Sequence, residues 1–330
     1  MKLSEFKALS AMLNGEQLER PVYIESMEDK VNKAGKNQVN LKVRDGVGVS
    51  PTQVSIFDTD VKNIQERHPY AVQGAVVVLQ ITRKDAFYNA DKYRIKEPSD
   101  EYDLEELAEK ATDKDPEELY DYILSEVDKV AKSDNEYDSL ADLVKKVYEK
   151  RKEAILKSSS AISFHHTGIS GNIVHTTEVL NICTKLLETQ IGEDIDSELL
   201  LAAAALHDVG KLTCYETNEM GGASLTFEGE ALGGHHYYSL RAVEEAVKEG
   251  NYDPERVLIL QNIIASHHGD QQFGDIAKPI TLEGFWLHMA DELSATTFRV
   301  KSKIMSVDPG TFATETLFSV KNRYYRRTDQ

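Results

Sequence analysis

A chain of 330 residues, 41% hydrophobic and 28% charged, has apolar material for two or more cores, which excludes collagen-like and disordered classes. Against 38 basic residues stand 56 acidic ones, a formal charge of -18, so loose adhesion to polyanions or anionic membranes is excluded, and nucleic acid must be met locally, through a metal or a basic strip. Cys183 and Cys214 are the only cysteines, too few for a disulfide framework or a four-thiolate zinc site and suited to a reducing cytosol.

Residues 1–19 hold Leu3, Phe6, Leu9 and Leu13 at helical spacing, which predicts a short amphipathic helix docked on its own protein. Glu5 and Lys7 stand where a signal peptide would be apolar, so a cytoplasmic location is expected. Residues 20–97 turn to period-two and β-branched runs: Val22 to Ile24, Val39 to Val43, Val54 to Ile56, Val72 to Ile81 and Tyr93 to Ile95. Turn signals separate them at Ala34 to Asn37, Arg44 to Gly46 and Tyr88 to Asp91, and a helical stretch from Val61 to Arg67 lies between the third and fourth runs. Five strands with a helix after the third is the layout of an OB-type β-barrel, a class that binds single strands through a basic groove and stacking aromatics. Lys36, Arg44, Arg83 and Lys84 are candidate substrate contacts, with Lys30, Lys33, Lys42, Lys92, Arg94 and Lys96 as further cations and Phe57, Phe87 and Tyr88 as aromatics. The alternative is a solvated barrel surface with core aromatics. His68, before Pro69, is expected at the surface.

Residues 98–157 are dense in Asp and Glu, with Leu104, Leu107, Leu119, Ile123, Val127, Val130, Leu140, Leu143, Val144 and Val147 at helical spacing and a helix start at Asp115-Pro116, which predicts an acidic helical connector without chemistry. Residues 158–310 then read as all-α, with helices over Asn172 to Ile191, Ser197 to Leu212, His236 to Gly250, Pro254 to His268 and Thr281 to about Met305. The longest apolar run, Leu199 to Leu206, is far short of the roughly 20 residues of a bilayer span, so no membrane partner is expected. Residues 311–330 form a basic tail with Lys321, Arg323, Arg326 and Arg327.

Nine of the ten histidines fall between His165 and His288, and such clustering is what a metal site produces, since imidazole is the commonest metal ligand. His207 and Asp208 are adjacent in Ala-Leu-His-Asp-Val-Gly-Lys. Neighbours on a helix diverge by about 100°, so both reach one site only where the helix ends, and Gly210 allows that.

His-Asp-Val-Gly-Lys, with His175 upstream at a helix start and Asp291 downstream in His-Met-Ala-Asp-Glu, resembles the HD-domain metal-dependent phosphohydrolases. Phe164 to Thr176, Gly234-His235, Ser266 to Asp270 and Leu287 to Asp291 are similar to the YhaM-type 3′-to-5′ exoribonuclease family, which joins an OB barrel to an HD domain. The resemblance implies metal ligation by His175, His207, Asp208 and Asp291, with His267 and His235, or its neighbour His236, at a second ion. Asp208 would bridge the two. Such a donor set, without thiolate, suits Mn²⁺, Fe²⁺, Co²⁺, Ni²⁺ or Zn²⁺ over Mg²⁺ and Ca²⁺, and the resemblance favours two Mn²⁺.

Lys211, three residues beyond Asp208, would neutralise a phosphate oxygen, or else be a solvated helix-end lysine. His268 and His166 are candidates for a supporting or leaving-group role, and His288 for core packing or support of Asp291. The activity implied is hydrolysis of single-stranded RNA or DNA from the 3′ end by a metal-activated water, by a homo-oligomer. Two alternatives are a phosphodiesterase or phosphatase acting on a nucleotide or cyclic dinucleotide, which would not need the barrel, and a binding adaptor with a decayed metal site.

Overall fold

The computed structural model describes residues 2, 6–46, 52–132, 136–162, 166–269, 274–305, 307–312 and 322–329. Phe164, His165, Asp270 and Lys321, which belong to motifs noted above, lie outside them. Two compact units divide the chain, Met1–Glu109 and Lys110–Gln330.

The first unit holds β1 (Gln17–Val31), β2 (Asn37–Arg44), β3 (Thr52–Phe57), α1 (Val61–Arg67), β4 (Val76–Lys84) and β5 (Phe87–Lys96). They pair in the order β1-β2-β3-β5-β4, and β4 pairs back onto β1, closing the sheet. Alternation puts Val39, Leu41 and Val43 of β2, Val54 and Ile56 of β3 and Val77, Leu79 and Ile81 of β4 into one buried core. β3 and β5 run parallel, which requires the crossover that α1 occupies.

Four local expectations fail here for identifiable reasons. Leu3 and Glu5 lie outside the described residues; from Phe6 onward the expected N-terminal helix is replaced by a 3-10 turn, Leu9–Ala11, and Leu9 and Met12 plug the barrel core. The backbone around it is bonded to the barrel, through Leu9 N–H to Asp45 Oδ2 at 2.7 Å and Arg20 Nη1 to the Lys7 carbonyl at 2.6 Å. Those tertiary bonds engage groups that helix formation would need. The turn placed at Tyr88 to Asp91 lies inside β5, where Asn89 and Ala90 pair with Thr82 and Ile81. The reversal falls at Asp85-Ala86, with Asp85 at φ 54° held by Asn14 at 2.9 Å. The fourth run starts as a strand only at Val76, after Gly74 at φ 84° breaks it. His68 is buried, not at the surface, between the Tyr70 hydroxyl at 3.2 Å and the Lys92 carbonyl at 2.9 Å.

The second unit comprises α2 (Pro116–Lys129), α3 (Leu140–Lys157), α4 (Gly171–Leu187), α5 (Ser197–Leu206), α6 (Lys211–Cys214), β6 (Tyr215–Thr217), β7 (Ala223–Leu225), α7 (Phe227–Leu232), α8 (His235–Val247), α9 (Pro254–Ala265) and α10 (Leu282–Met305). The acidic segment is no separate connector. Leu119, Ile123 and Val127 of α2 and Leu143, Val144 and Val147 of α3 share one core with α4, α5, α8, α9 and α10, and residues 98–109 fall in the first unit. Its acids do local work: Asp115 caps α2 through the Glu117 N–H at 3.0 Å. α5 is buried from Glu198 to Leu206, as a helix that is apolar on nearly every side must be. Buried Glu198 on α5 is satisfied by Arg256 at 2.8 Å and by the backbone N–H groups of Leu140 and Lys132, and Tyr148 donates to the Ala205 carbonyl at 2.9 Å. These bonds fix the helix whose end carries His207. No helix among the described residues is long and apolar enough to cross a membrane.

Asp196 caps α5, accepting from the Leu199 N–H at 3.0 Å and pairing with Arg256 at 2.7 Å and Lys132 at 3.1 Å. Burial acts to raise its pKa, but these partners outweigh it and bring it from 3.8 to about 2. A carboxyl with a depressed folded pKa contributes stability that is present above its unfolded value and lost as the pH falls toward the folded one. After allowance for solvent screening, about 1–2 kcal/mol is expected to go between about pH 4 and pH 2. Urea unfolding followed by fluorescence of Trp286, the one tryptophan, checks this; an identical pH slope in Asp196→Asn refutes it.

Candidate metal centre

α5 ends at Leu206, and residues 207–210 form a turn before α6. That break, expected at the doublet before Gly210 although apolar spacing carried the helix on to Leu212, lets His207 and Asp208 face the same point. The turn is pinned from α8: Ser239 Oγ donates to the His207 carbonyl and accepts from the Gly210 N–H, each at 2.8 Å. Gly210 must lack a side chain, because a Cβ would lie 2.5 Å from Ser239 N and 2.8 Å from Ser239 Oγ.

Four other elements converge on Asp208. Its Oδ2 lies 3.4 Å from His175 Nε2 of α4, 3.4 Å from His207 Nε2 and 2.6 Å from Lys211 Nζ. Its Oδ1 lies 3.1 Å from His235 Nε2, at the start of α8, and 3.7 Å from His267 Nε2, just beyond α9. Asp291 of α10 approaches His175 Nε2 at 3.0 Å. Nitrogen also faces nitrogen, with His175 Nε2 3.4 Å from His207 Nε2 and His235 Nε2 3.3 Å from His267 Nε2.

The donor chemistry fits a cation. His207 Nδ1 donates to the Ala204 carbonyl at 2.9 Å, and His267 Nδ1 to the Ile264 carbonyl at 2.7 Å. A carbonyl only accepts, so in the neutral rings each Nε2 presents a bare lone pair to the cluster. Lone pairs converging on a buried carboxylate repel unless a positive charge lies among them, and Asp208 Oδ1 is buried without a hydrogen bond. The set thus offers ligands for a divalent metal, in two facing groups, His175, His207 and Asp208, and His235, His236, His267 and His268.

Electrostatics prepare the ligands. Burial opposes the Asp208 carboxylate, but Lys211 and His207 more than offset it and hold its pKa well below the usual range. Asp291 is lowered likewise, by His175 against burial. Burial lowers His235 to about 4, and burial with the neighbouring His268 lowers His267 well below its ordinary value. Ionised carboxylates beside neutral imidazoles are what a metal requires. His207 alone is lifted, by Asp208 against burial, which marks where positive charge is favoured.

The remaining candidates separate. Of the doublet, His235 meets Asp208, while His236 Nε2 turns to Asp275 at 3.0 Å and its ring stacks on His267. Lys211 is buried against Asp208, which excludes the solvated helix-end role. His166 has Glu178 at 3.0 Å and the Phe298 ring as its neighbours. His268 packs on the His267 and His236 rings, and His288 Nδ1 donates to the His267 carbonyl at 3.1 Å. In the other unit, Arg44, expected as an exposed substrate contact, is buried over Tyr23, with Glu25 at 2.8 Å and Glu109 at 3.6 Å. Arg83 donates to the Met12 and Asp85 carbonyls, so its guanidinium is committed to the fold. Lys84 stays exposed, and Lys36 is exposed 3.5 Å from Asp58.

Sequence reasoning missed Glu178, Ser294, Ser239 and Asp275. Glu178 and Ser294 stand three residues after His175 and Asp291, so the i,i+3 rule puts each on a ligand's own helix face. Ser239 and Asp275 have no such local signal.

A family model described as the HD domain matches residues 172–296. Curated relatives named 3′-5′ exoribonuclease YhaM are similar: that of Shouchella clausii is 34% identical over 180 residues, 54% of each chain. That of Bacillus subtilis is 32% identical over 181 residues, 54% of this chain and 56% of its own, and that of Bacillus velezensis 32% over 170, 51% and 52%. The chain thus spans about half the length of the curated relatives it matches. No solved structure matches. Every residue that converges on Asp208, from His175 to Asp291, falls inside the segment matched by the HD domain.

Proposed function

We propose that this protein is a metal-dependent 3′-to-5′ exonuclease acting on single-stranded RNA. The observation that carries the reading is the convergence of four imidazoles on the two oxygens of one buried carboxylate. His175, His207 and Asp291 would hold one divalent ion and His235 and His267 the other, with Asp208 between them. The ligand types favour transition ions, Mn²⁺ by likeness to the HD phosphohydrolases. Two bound ions supply a water activated near neutral pH and offset charge on the phosphoryl oxygens.

The chain's own residues would do the rest. Lys211 holds the Asp208 carboxylate ionised and oriented at 2.6 Å, and its ammonium would offset charge on a phosphate oxygen. His268, beside His235 and His267, is the candidate to protonate the departing 3′ oxygen. The first unit is read as an OB barrel that binds single strands, using exposed Lys36 and Lys84 and the exposed Phe57, Phe87 and Tyr93. Both cysteines are free and buried, consistent with a reducing cytoplasm.

The test is an assay of 5′-labelled single-stranded RNA and DNA beside a cyclic dinucleotide, each with Mn²⁺. A ladder shortening from the 3′ end, with release of nucleoside 5′-monophosphates, is expected and should vanish with a chelator. Rapid cleavage of the cyclic dinucleotide alone overturns the exonuclease reading in favour of a small-molecule phosphodiesterase.

A further inference from the structure

His207 and His267 have their Nδ1 atoms tied to main-chain carbonyls of their own helices, so their tautomers follow from the backbone. His175 is held differently. Its Nδ1 lies 3.2 Å from Ser294 Oγ, and the Ser294 hydroxyl donates to Glu178 Oε2 at 2.9 Å. A hydroxyl has one hydrogen. Once that hydrogen points at Glu178, Ser294 can only accept from His175, so Nδ1 carries the proton and Nε2, 3.0 Å from Asp291 and 3.4 Å from Asp208, presents its lone pair.

Glu178 is itself kept in place. His166 Nε2 lies 3.0 Å from the same Oε2, and the His166 ring is wedged between His175 at 5.3 Å and Phe298 at 4.8 Å. The His166 backbone lies against the first turn of α4, where a Cβ on Gly171 would collide with the His166 carbonyl. Ser294 and Glu178 belong to different helices, α10 and α4, so the relay also sets the spacing between the helix that carries Asp291 and the one that carries His175.

We propose that Ser294, its hydroxyl directed by Glu178, is the positioning residue that holds His175 in its Nδ1–H form and aims Nε2 at a divalent cation. The proposal rests on the metal-centre reading above. Removal of a partner that orients a metal-binding histidine typically costs 10- to 100-fold in metal affinity, and here the relay runs through a side chain, so it can be removed without touching a ligand.

The experiment uses the full chain freed of metal, titrated with Mn²⁺ by calorimetry and by electron paramagnetic resonance of the free ion. Ser294→Ala, Glu178→Ala and the conservative Ser294→Thr are compared with wild type, and ¹⁵N-histidine NMR of the metal-free proteins reads the tautomer of His175. Ser294→Ala and Glu178→Ala are expected to bind Mn²⁺ about 10-fold or more weaker and to lose the Nδ1–H signature of His175, and Ser294→Thr to keep both near wild type. Wild-type affinity and tautomer in Ser294→Ala overturn the proposal and leave the metal centre standing. An equal loss in Ser294→Thr marks a packing role and overturns it too. If wild type itself binds no Mn²⁺, the metal reading fails and the relay with it. Should Glu178→Ala not fold, Ser294→Ala, which removes a single oxygen, decides the matter.

Discussion

Replacement of Asp208 by asparagine is expected to lower phosphodiester turnover by about three orders of magnitude or more and to abolish stoichiometric binding of Mn²⁺. The argument is one of charge. Among the described residues, Asp208 is the only carboxylate that touches both groups of imidazoles, Oδ2 facing His175 and His207 and Oδ1 facing His235 and His267. A neutral amide keeps the shape and still accepts from Lys211, but it cannot neutralise two cations or deprotonate in their favour. Alanine would confound the result, since it leaves the buried Lys211 ammonium without a partner, at a cost of about 3–5 kcal/mol. Fluorescence anisotropy with a labelled oligonucleotide supplies the control. Asp208→Asn should bind RNA nearly as wild type, because the strand contacts are assigned to the barrel. Turnover by Asp208→Asn at the wild-type rate would remove the basis for the whole assignment.

The second large effect is expected at a residue with no chemistry. Gly210→Ala should destabilise the helical unit by about 3 kcal/mol, the upper part of the range for forced overpacking, and lower its melting temperature by roughly 6–12 °C. Gly210 has φ -67°, a conformation open to any residue, so the obstacle is space. A methyl there meets the His235 carbonyl and Ser239 N, and relief requires α8 to move away from the turn that holds Asp208. Since His235 opens α8, that movement also separates it from Asp208 Oδ1, and Mn²⁺ affinity should fall with stability. Trp286 packs against the helical core, so its fluorescence melting curve reports on this unit. An unchanged melt in Gly210→Ala would mean that α8 is free to shift.

Much of this was legible locally. The core strands follow from period-two runs and turn residues, and α1, α2, α4, α5, α8, α9 and α10 from helical spacing, with Asp115-Pro116 marking the start of α2. His207 and Asp208 were legible because a helix that ends at a doublet, before a glycine, turns two neighbouring side chains to one point. What was not legible depended on a distant partner. Nothing near Arg44 predicts Glu25 and Glu109, yet they bury it. Nothing near His236 predicts Asp275, yet that carboxylate turns it from Asp208 and leaves the place to His235.

By itself the sequence determined the element types, the existence of a histidine-rich centre and the kind of ion it suits, because periodicity, capping and ligand hardness are properties of residues and their near neighbours. Only the tertiary structure decided which histidines meet, that the acidic segment is part of the helical core, and that Ser294 and Glu178 stand behind His175. Those outcomes depend on how α4, α5, α8, α9 and α10 pack. Packing joins residues more than a hundred positions apart, such as His175 and Asp291, through shape and desolvation that no short stretch of chain encodes.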